Sequence, residues 1–151
     1  LVRMASIQAL AHTGDASFAP AVRNALSDRA MVVRSTAVDA LRLLNDREAV
    51  PDLIKELSSS RNFYRGKSFW IREQIVDALG NLGDEKTIPT LLAVLQENEL
   101  SIRLHACSAL ARISPDAEPA ATGPMDEGCA ARWSKWGTER TSISASPPAL
   151  P

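Results

Sequence analysis

The sequence predicts an all-α protein, an α-solenoid of stacked antiparallel helix pairs, and three observations carry that prediction. Four stretches align without internal gaps, residues 2–10, 33–41, 71–79 and 102–110, at offsets of 31, 38 and 31 residues. The positions after each stretch keep one register: Gly14-Asp15, Asn45-Asp46 and Gly83-Asp84, then Pro20, Pro51 and Pro89, then Leu26, Leu57 and Leu95. Within each unit the apolar residues recur at helical spacing. Periods of this length mark repeat architectures, in which a unit buries its apolar stripe only by stacking on its neighbours.

The unit at residues 31–57 shows how each element is specified. Val33, Ala37, Ala40, Leu41 and Leu44 make one apolar face of a first helix. Asn45-Asp46 ends it: Asn, like Gly14 and Gly83 in the other units, suits a left-handed C-terminal position, and Asp caps the next helix. Pro51 falls in the first turn of that second helix, where a missing N–H does little harm. Val50, Leu53, Ile54 and Leu57 form its stripe. Small residues at Ala9, Ala40, Ala78 and Ala109 allow close helix approach.

By this register the units lie near residues 2–27, 31–57, 70–96 and 100–113, with an insertion at 58–69 that accounts for the seven extra residues of the middle offset. Val2 reads as opening the second helix of a unit whose first helix is missing, so the chain reads as a piece of a longer solenoid. After Ser114 the composition shifts: six of the nine prolines lie in residues 114–151, beside many Ala, Ser and Thr. That segment reads as loop interrupted by a short helix near 129–138, with Trp133 and Trp136 on one face. A capping role for that helix stands beside a partner-binding peptide and an unstructured tail.

Composition excludes several functions. The chain has 151 residues, 45% apolar, 23% charged, with a net charge of −1. This is a globular balance, unlike that of a disordered or strongly basic nucleic-acid-binding chain. No apolar run reaches the roughly 18–20 residues of a membrane span. Two cysteines far apart, Cys107 and Cys129, and two histidines, His12 and His105, build neither a disulfide framework nor a zinc cluster. No cofactor is implied, and unpatterned cysteines point to a reducing cytoplasm.

The pattern apolar-Arg-x-x-Ala-x-x-Ala-Leu, then Gly-Asp, then apolar-Pro-x-Leu, resembles HEAT repeats over roughly residues 2–113, in particular the short bacterial HEAT-like repeats also seen in phycobilin lyase subunits. The resemblance implies a binding surface more than a reaction. It also implies a structural ladder between units, here Arg3, Arg34, Arg72 and Arg103 with Asp15, Asp46 and Asp84; the alternative for the arginines is a row that reads an acidic partner. A HEAT-repeat relative, deoxyhypusine hydroxylase, holds di-iron through His-Glu pairs just after the apolar-Arg step. The corresponding slots here are Met4-Ala5, Ser35-Thr36, Glu73-Gln74 and Leu104-His105. None is His-Glu, so that metal chemistry is rejected. A bilin lyase-like chromophore-handling protein remains the alternative to an interaction module, with Arg to pair propionates and apolar walls to hold rings.

The insertion is the first candidate site. Phe63, Tyr64, Phe69 and Trp70 are four of the seven aromatics, and Arg61, Arg65, Lys67 and Arg72 add positive charge. Exposed aromatics with Arg make hot spots at protein interfaces and also suit single-stranded nucleic acid. The residues assigned to a partner are Arg61, Phe63, Tyr64, Arg65, Lys67 and Trp70. Against this, Phe63, Phe69 and Trp70 could simply staple the next helix or plug the gap. The partner is another protein; nucleic acid fits poorly with the net charge. The second candidate is the face of the Arg-bearing helices, where Met4, Ile7, Ala11, Ser35, Val38, Arg42, Glu73, Val76, Leu104 and Cys107 read as exposed. Its repeated position, Ile7, Val38, Val76 and Cys107, is either an apolar groove or core between units. A His105–Cys107 dyad is disfavoured, because residues two apart on a helix face different sides.

Overall fold

The computed structural model describes residues 1–114. Among these the chain forms seven α-helices: α1 (Val2–His12), α2 (Ala19–Ala25), α3 (Met31–Leu43), α4 (Val50–Leu57), α5 (Ile71–Leu82), α6 (Ile88–Val94) and α7 (Leu100–Ile113). The longer helices α1, α3, α5 and α7 stack side by side, and the shorter α2, α4 and α6 pack behind them. Matched register across the row shows that the long helices run parallel. Ser35 Oγ donates to Gln74 Oε1 at 2.7 Å, and His105 meets Asp77 at 2.9 Å. Trp133, Trp136 and the helix expected near 129–138 lie outside the described residues.

Each pair is joined by the same local device. The side chains of Asp15, Asp46 and Asp84 accept from the backbone N–H two residues on, in Ser17, Glu48 and Lys86. A 3-10 turn follows and feeds a helix with Pro in its first turn. The short helices α2, α4 and α6 pack chiefly on the long helices that follow them, α3, α5 and α7, so by packing α1 takes the place of a second helix, as the reading of Val2 expects. The expected left-handed residues appear at Gly14 (φ 68°) and Asn45 (φ 51°). Gly83 differs, with φ −72° and ψ 169°. It is glycine for space: a Cβ there would lie 2.4 Å from the Leu79 carbonyl oxygen and 2.6 Å from Thr87 Oγ1.

The core is one continuous cluster along the row. Leu41, Leu53, Ile71, Ile75, Leu79, Leu91, Ile102 and Leu110 are fully buried. Ile7, Val38, Val76 and Cys107 are buried too, so the repeated apolar position is core between units and not an open groove. Ala11 and Ser35 are likewise covered, contrary to their reading as exposed. Closest approach falls at Gly80, where a Cβ would lie 2.6 Å from Ala109 Cα. Ala40, Ala78 and Ala109 are buried as close packing requires, whereas Ala9 is exposed.

The insertion is more ordered than the loop read from sequence. A 3-10 turn at Ser60–Asn62 leads into a two-stranded antiparallel hairpin, β1 (Phe63–Tyr64) and β2 (Lys67–Ser68), in which Phe63 faces Ser68 and Tyr64 faces Lys67. The two-residue turn has positive φ at both positions, Arg65 at 50° and Gly66 at 79°. That is the backbone of the tight hairpin turn whose twist matches the strands.

Candidate functional site

Three arginines anchor the edge of the solenoid that bears the hairpin. Arg34 is buried, with its Nε 2.8 Å from Glu56 Oε1 and its Nη2 donating to Asn62 Oδ1 at 2.8 Å. Its Nη1 donates to the carbonyls of Asp28 and Arg29 at 3.0 and 3.1 Å. Arg72 is equally buried and makes a two-pronged pair with Glu97, at 2.7 and 2.8 Å. It also donates to the Leu57 carbonyl and to Ser68 Oγ, and its guanidinium lies 4.2 Å from the centre of the Phe63 ring. The more exposed Arg3 pairs with Asp28 at 2.9 Å.

The ladder implied by the resemblance is therefore built differently. None of Arg3, Arg34 and Arg72 reaches Asp15, Asp46 or Asp84, because the arginines sit at the start of the long helices and the aspartates at the far turns. The arginine partner is an acid 25 positions on, Asp28 for Arg3 and Glu97 for Arg72. The same step from Arg34 reaches Ser59, which has no charge, and Glu56 with Asn62 replaces the missing acid. Among the aspartates, Asp46 does bridge units, through Arg23 of α2 at 2.8 Å. Arg103 holds the equivalent place in α7 and is half-buried.

These contacts brace the hairpin from both sides. Asn62, fully buried, donates to the Glu56 carbonyl and side chain and accepts from Arg34. The Phe69 N–H donates to the Asn62 carbonyl at 2.9 Å, closing the hairpin base. From the next unit, Glu99 accepts the Ser68 N–H at 2.9 Å. That backbone hydrogen bond is the main reason the Glu99 carboxyl titrates below its ordinary range, with Arg72 and Lys67 adding smaller attractions.

The six residues assigned to a partner fall into two groups. Arg61 is exposed but tied down: it pairs with Glu56 at 2.7 Å and donates to the carbonyls of Leu26 and Ser27. Phe63 is half-buried beneath Arg72. Tyr64, Arg65 and Lys67 stand exposed at the tip, and Trp70 is exposed where the hairpin enters α5. Arg65 lies 5.3 Å from the Tyr64 ring centre, and Tyr64 stacks on Phe69 with ring centres 6.5 Å apart. Phe69 packs on the core, as the stapling alternative holds for it.

Glu56, Asn62, Glu97 and Glu99 escaped the sequence reading. The acids at Asp28 and Glu97 carried a signal, their shared step of 25 from an arginine, whereas Asn62 and Glu99 carried none. Elsewhere, His105 bridges α7 to Asp77 and to Glu73 of α5, at 2.9 and 3.7 Å, and Cys107 is buried in the core. No group of three His, Cys, Asp or Glu converges among the described residues, and none of their helices is long and apolar enough to cross a membrane.

A family model of HEAT repeats matches residues 1–68 and again 61–131. No curated protein matches the chain.

Proposed function

The chain belongs to the HEAT-repeat family, whose repeats generally mediate protein–protein interaction or scaffolding, and from that membership we propose a non-enzymatic interaction module that presents its hairpin to another protein. The observation that carries this reading is the braced tip. Tyr64, Arg65 and Lys67 project from two-residue strands whose base is tied to Asn62, Arg72 and Glu99. A loop held in one shape loses little conformational freedom on binding, so its contacts translate more fully into affinity. An aromatic ring beside Arg, exposed together, is the composition of an interface anchor. Arg61 and Phe63 serve as supports for that tip, and Trp70 extends the surface. We place the module in the cytoplasm on cysteine usage alone.

The test is affinity capture with the intact chain and with the triple variant Tyr64→Ala/Arg65→Ala/Lys67→Ala. Loss of a specific partner at an unchanged melting temperature supports the reading. Equal capture by both proteins refutes it.

A further inference from the structure

The connections α2–α3, α4–α5 and α6–α7 lie along one edge of the solenoid, and contacts link each to the next. Arg61 reaches the Leu26 and Ser27 carbonyls of the first, and Glu99 of the third holds Ser68 of the second. The exposed large apolar side chains gather here. Val32 and Trp70 are each 47% exposed and occupy the same repeat position, one residue before Val33 and Ile71. Leu100, at the start of α7, is 49% exposed, and Tyr64 of the hairpin is 60% exposed. Beyond this edge and the first two residues of the chain, Leu43 alone among the described residues is a large apolar side chain of comparable exposure.

Charge on the same edge is one-sided. Its acids are committed to partners within the chain: Asp28 to Arg3, Glu56 to Arg34 and Arg61, Glu73 to Ser101 and His105, Glu97 to Arg72, and Glu99 to the Ser68 N–H. Arg29 and Arg65 are exposed and form no salt bridge among the described residues. The edge thus offers apolar side chains at repeat spacing, flanked by unspent cations. The four apolar residues come from three successive units, which suits an extended chain running across the repeats better than a compact domain face.

We infer that this edge binds an extended peptide segment of another protein in which apolar or aromatic residues alternate with Asp and Glu. The inference deepens the proposed interaction role by naming the partner's chemistry and by carrying the contact past the hairpin to Val32 and Leu100. Apolar side chains of the segment would cover Val32, Trp70 and Leu100, while its carboxylates would meet Arg29 and Arg65, with attraction that weakens as salt rises.

The experiment selects binders to the full chain from a random twelve-residue peptide library displayed on phage, then measures the affinities of the selected peptides by fluorescence polarisation. The expected peptides are rich in acids and aromatics. They lose about tenfold or more in affinity with Val32→Ser/Leu100→Ser and with Arg65→Glu, while circular dichroism shows each variant folded. Peptides of basic or neutral composition overturn the inference. So does sensitivity to Arg65→Glu with none to Val32→Ser/Leu100→Ser, an outcome that leaves the hairpin role standing. An empty selection overturns it too, as does displacement of the selected peptides by a synthetic peptide of residues 115–128, which would assign the edge to the chain's own acidic segment. Self-association of the intact chain that Arg65→Glu abolishes would assign the edge to a second copy and equally overturn it.

Discussion

At one edge of the solenoid, the turns after α1, α3 and α5 are closed by an aspartate bonded to its own backbone two residues on. At the opposite edge, successive units are joined by buried arginines that reach carboxylates and carbonyls from 5 to 28 residues away. The first edge is specified mainly by this local contact, which repeats in all three turns, with the Arg23–Asp46 pair as an added bridge between units. The second is specified by long-range contacts and is less regular: Arg3 and Arg72 reach the acid 25 positions on, whereas Arg34, which finds Ser59 there, turns to Glu56 and Asn62. Variation is therefore tolerated at the second edge, and the insertion, the exposed aromatics and the unspent cations are all found there. The lesson is that a repeat protein places its distinguishing features where the joining contacts are non-local.

The largest effect is expected from breaking an arginine network. Arg34→Ala leaves the buried Glu56 carboxylate and the Asn62 amide without their main partner, and urea unfolding should show a loss of about 3–5 kcal/mol. A loss under about 1 kcal/mol would mean that water or Arg61 replaces it. Next, Asn62→Ala removes hydrogen bonds to Arg34 and Glu56 together and should cost about 1–3 kcal/mol by the same assay. The far edge responds less. Asp46→Ala removes a turn cap and the Arg23 pair, and a loss of about 1 kcal/mol is expected from urea unfolding. If Asp46→Ala proved as damaging as Arg34→Ala, the contrast between a local and a non-local edge would collapse.

The smallest effect is a titration. The Glu99 carboxyl titrates below its ordinary range, chiefly because it accepts the Ser68 N–H. A depressed carboxyl contributes its stabilisation above the pKa of the unfolded chain and loses it as pH falls through the folded value. The hairpin tether is thus intact at neutral pH and released in acid, below the ordinary glutamate range. The Ser68 amide resonance should shift through that acid transition in NMR spectra and stay still in Glu99→Gln. A shift centred at or above the ordinary glutamate value would contradict the contact.

Helices and turns were legible in the sequence because their signals are local. Apolar spacing, Gly14 and Asn45 at the helix ends, and Pro20, Pro51 and Pro89 in the first turns act within a few residues. Gly83 follows the same pattern for another reason, close approach of Thr87 and the Leu79 carbonyl, which spacing does not distinguish. The hairpin was not legible. Strands of two residues have no periodicity to detect, and an Arg-Gly turn lacks the Asn-Gly or Asp-Gly signature. The arginine partners were not legible for a related reason: the acids at Asp28 and Glu97 keep a step of 25, but the column is broken at Ser59, where Glu56 and Asn62 take over. At the candidate site, aromatic-basic composition marked the right segment. Only geometry separates Arg61 and Phe63, held by Glu56 and Arg72, from Tyr64, Arg65 and Lys67 at the tip.

Hydrogen exchange across residues 58–72, read by NMR at the Ser68 and Phe69 amides, tests the braced hairpin most directly. Both amides are bonded, to Glu99 and to the Asn62 carbonyl. They should exchange far more slowly than in an unstructured peptide, and Glu99→Ala should release Ser68 while leaving Phe69 protected. Exchange of both amides at the unstructured rate in the intact chain would show that the tip is not held, and the account of a preorganised recognition edge would fail.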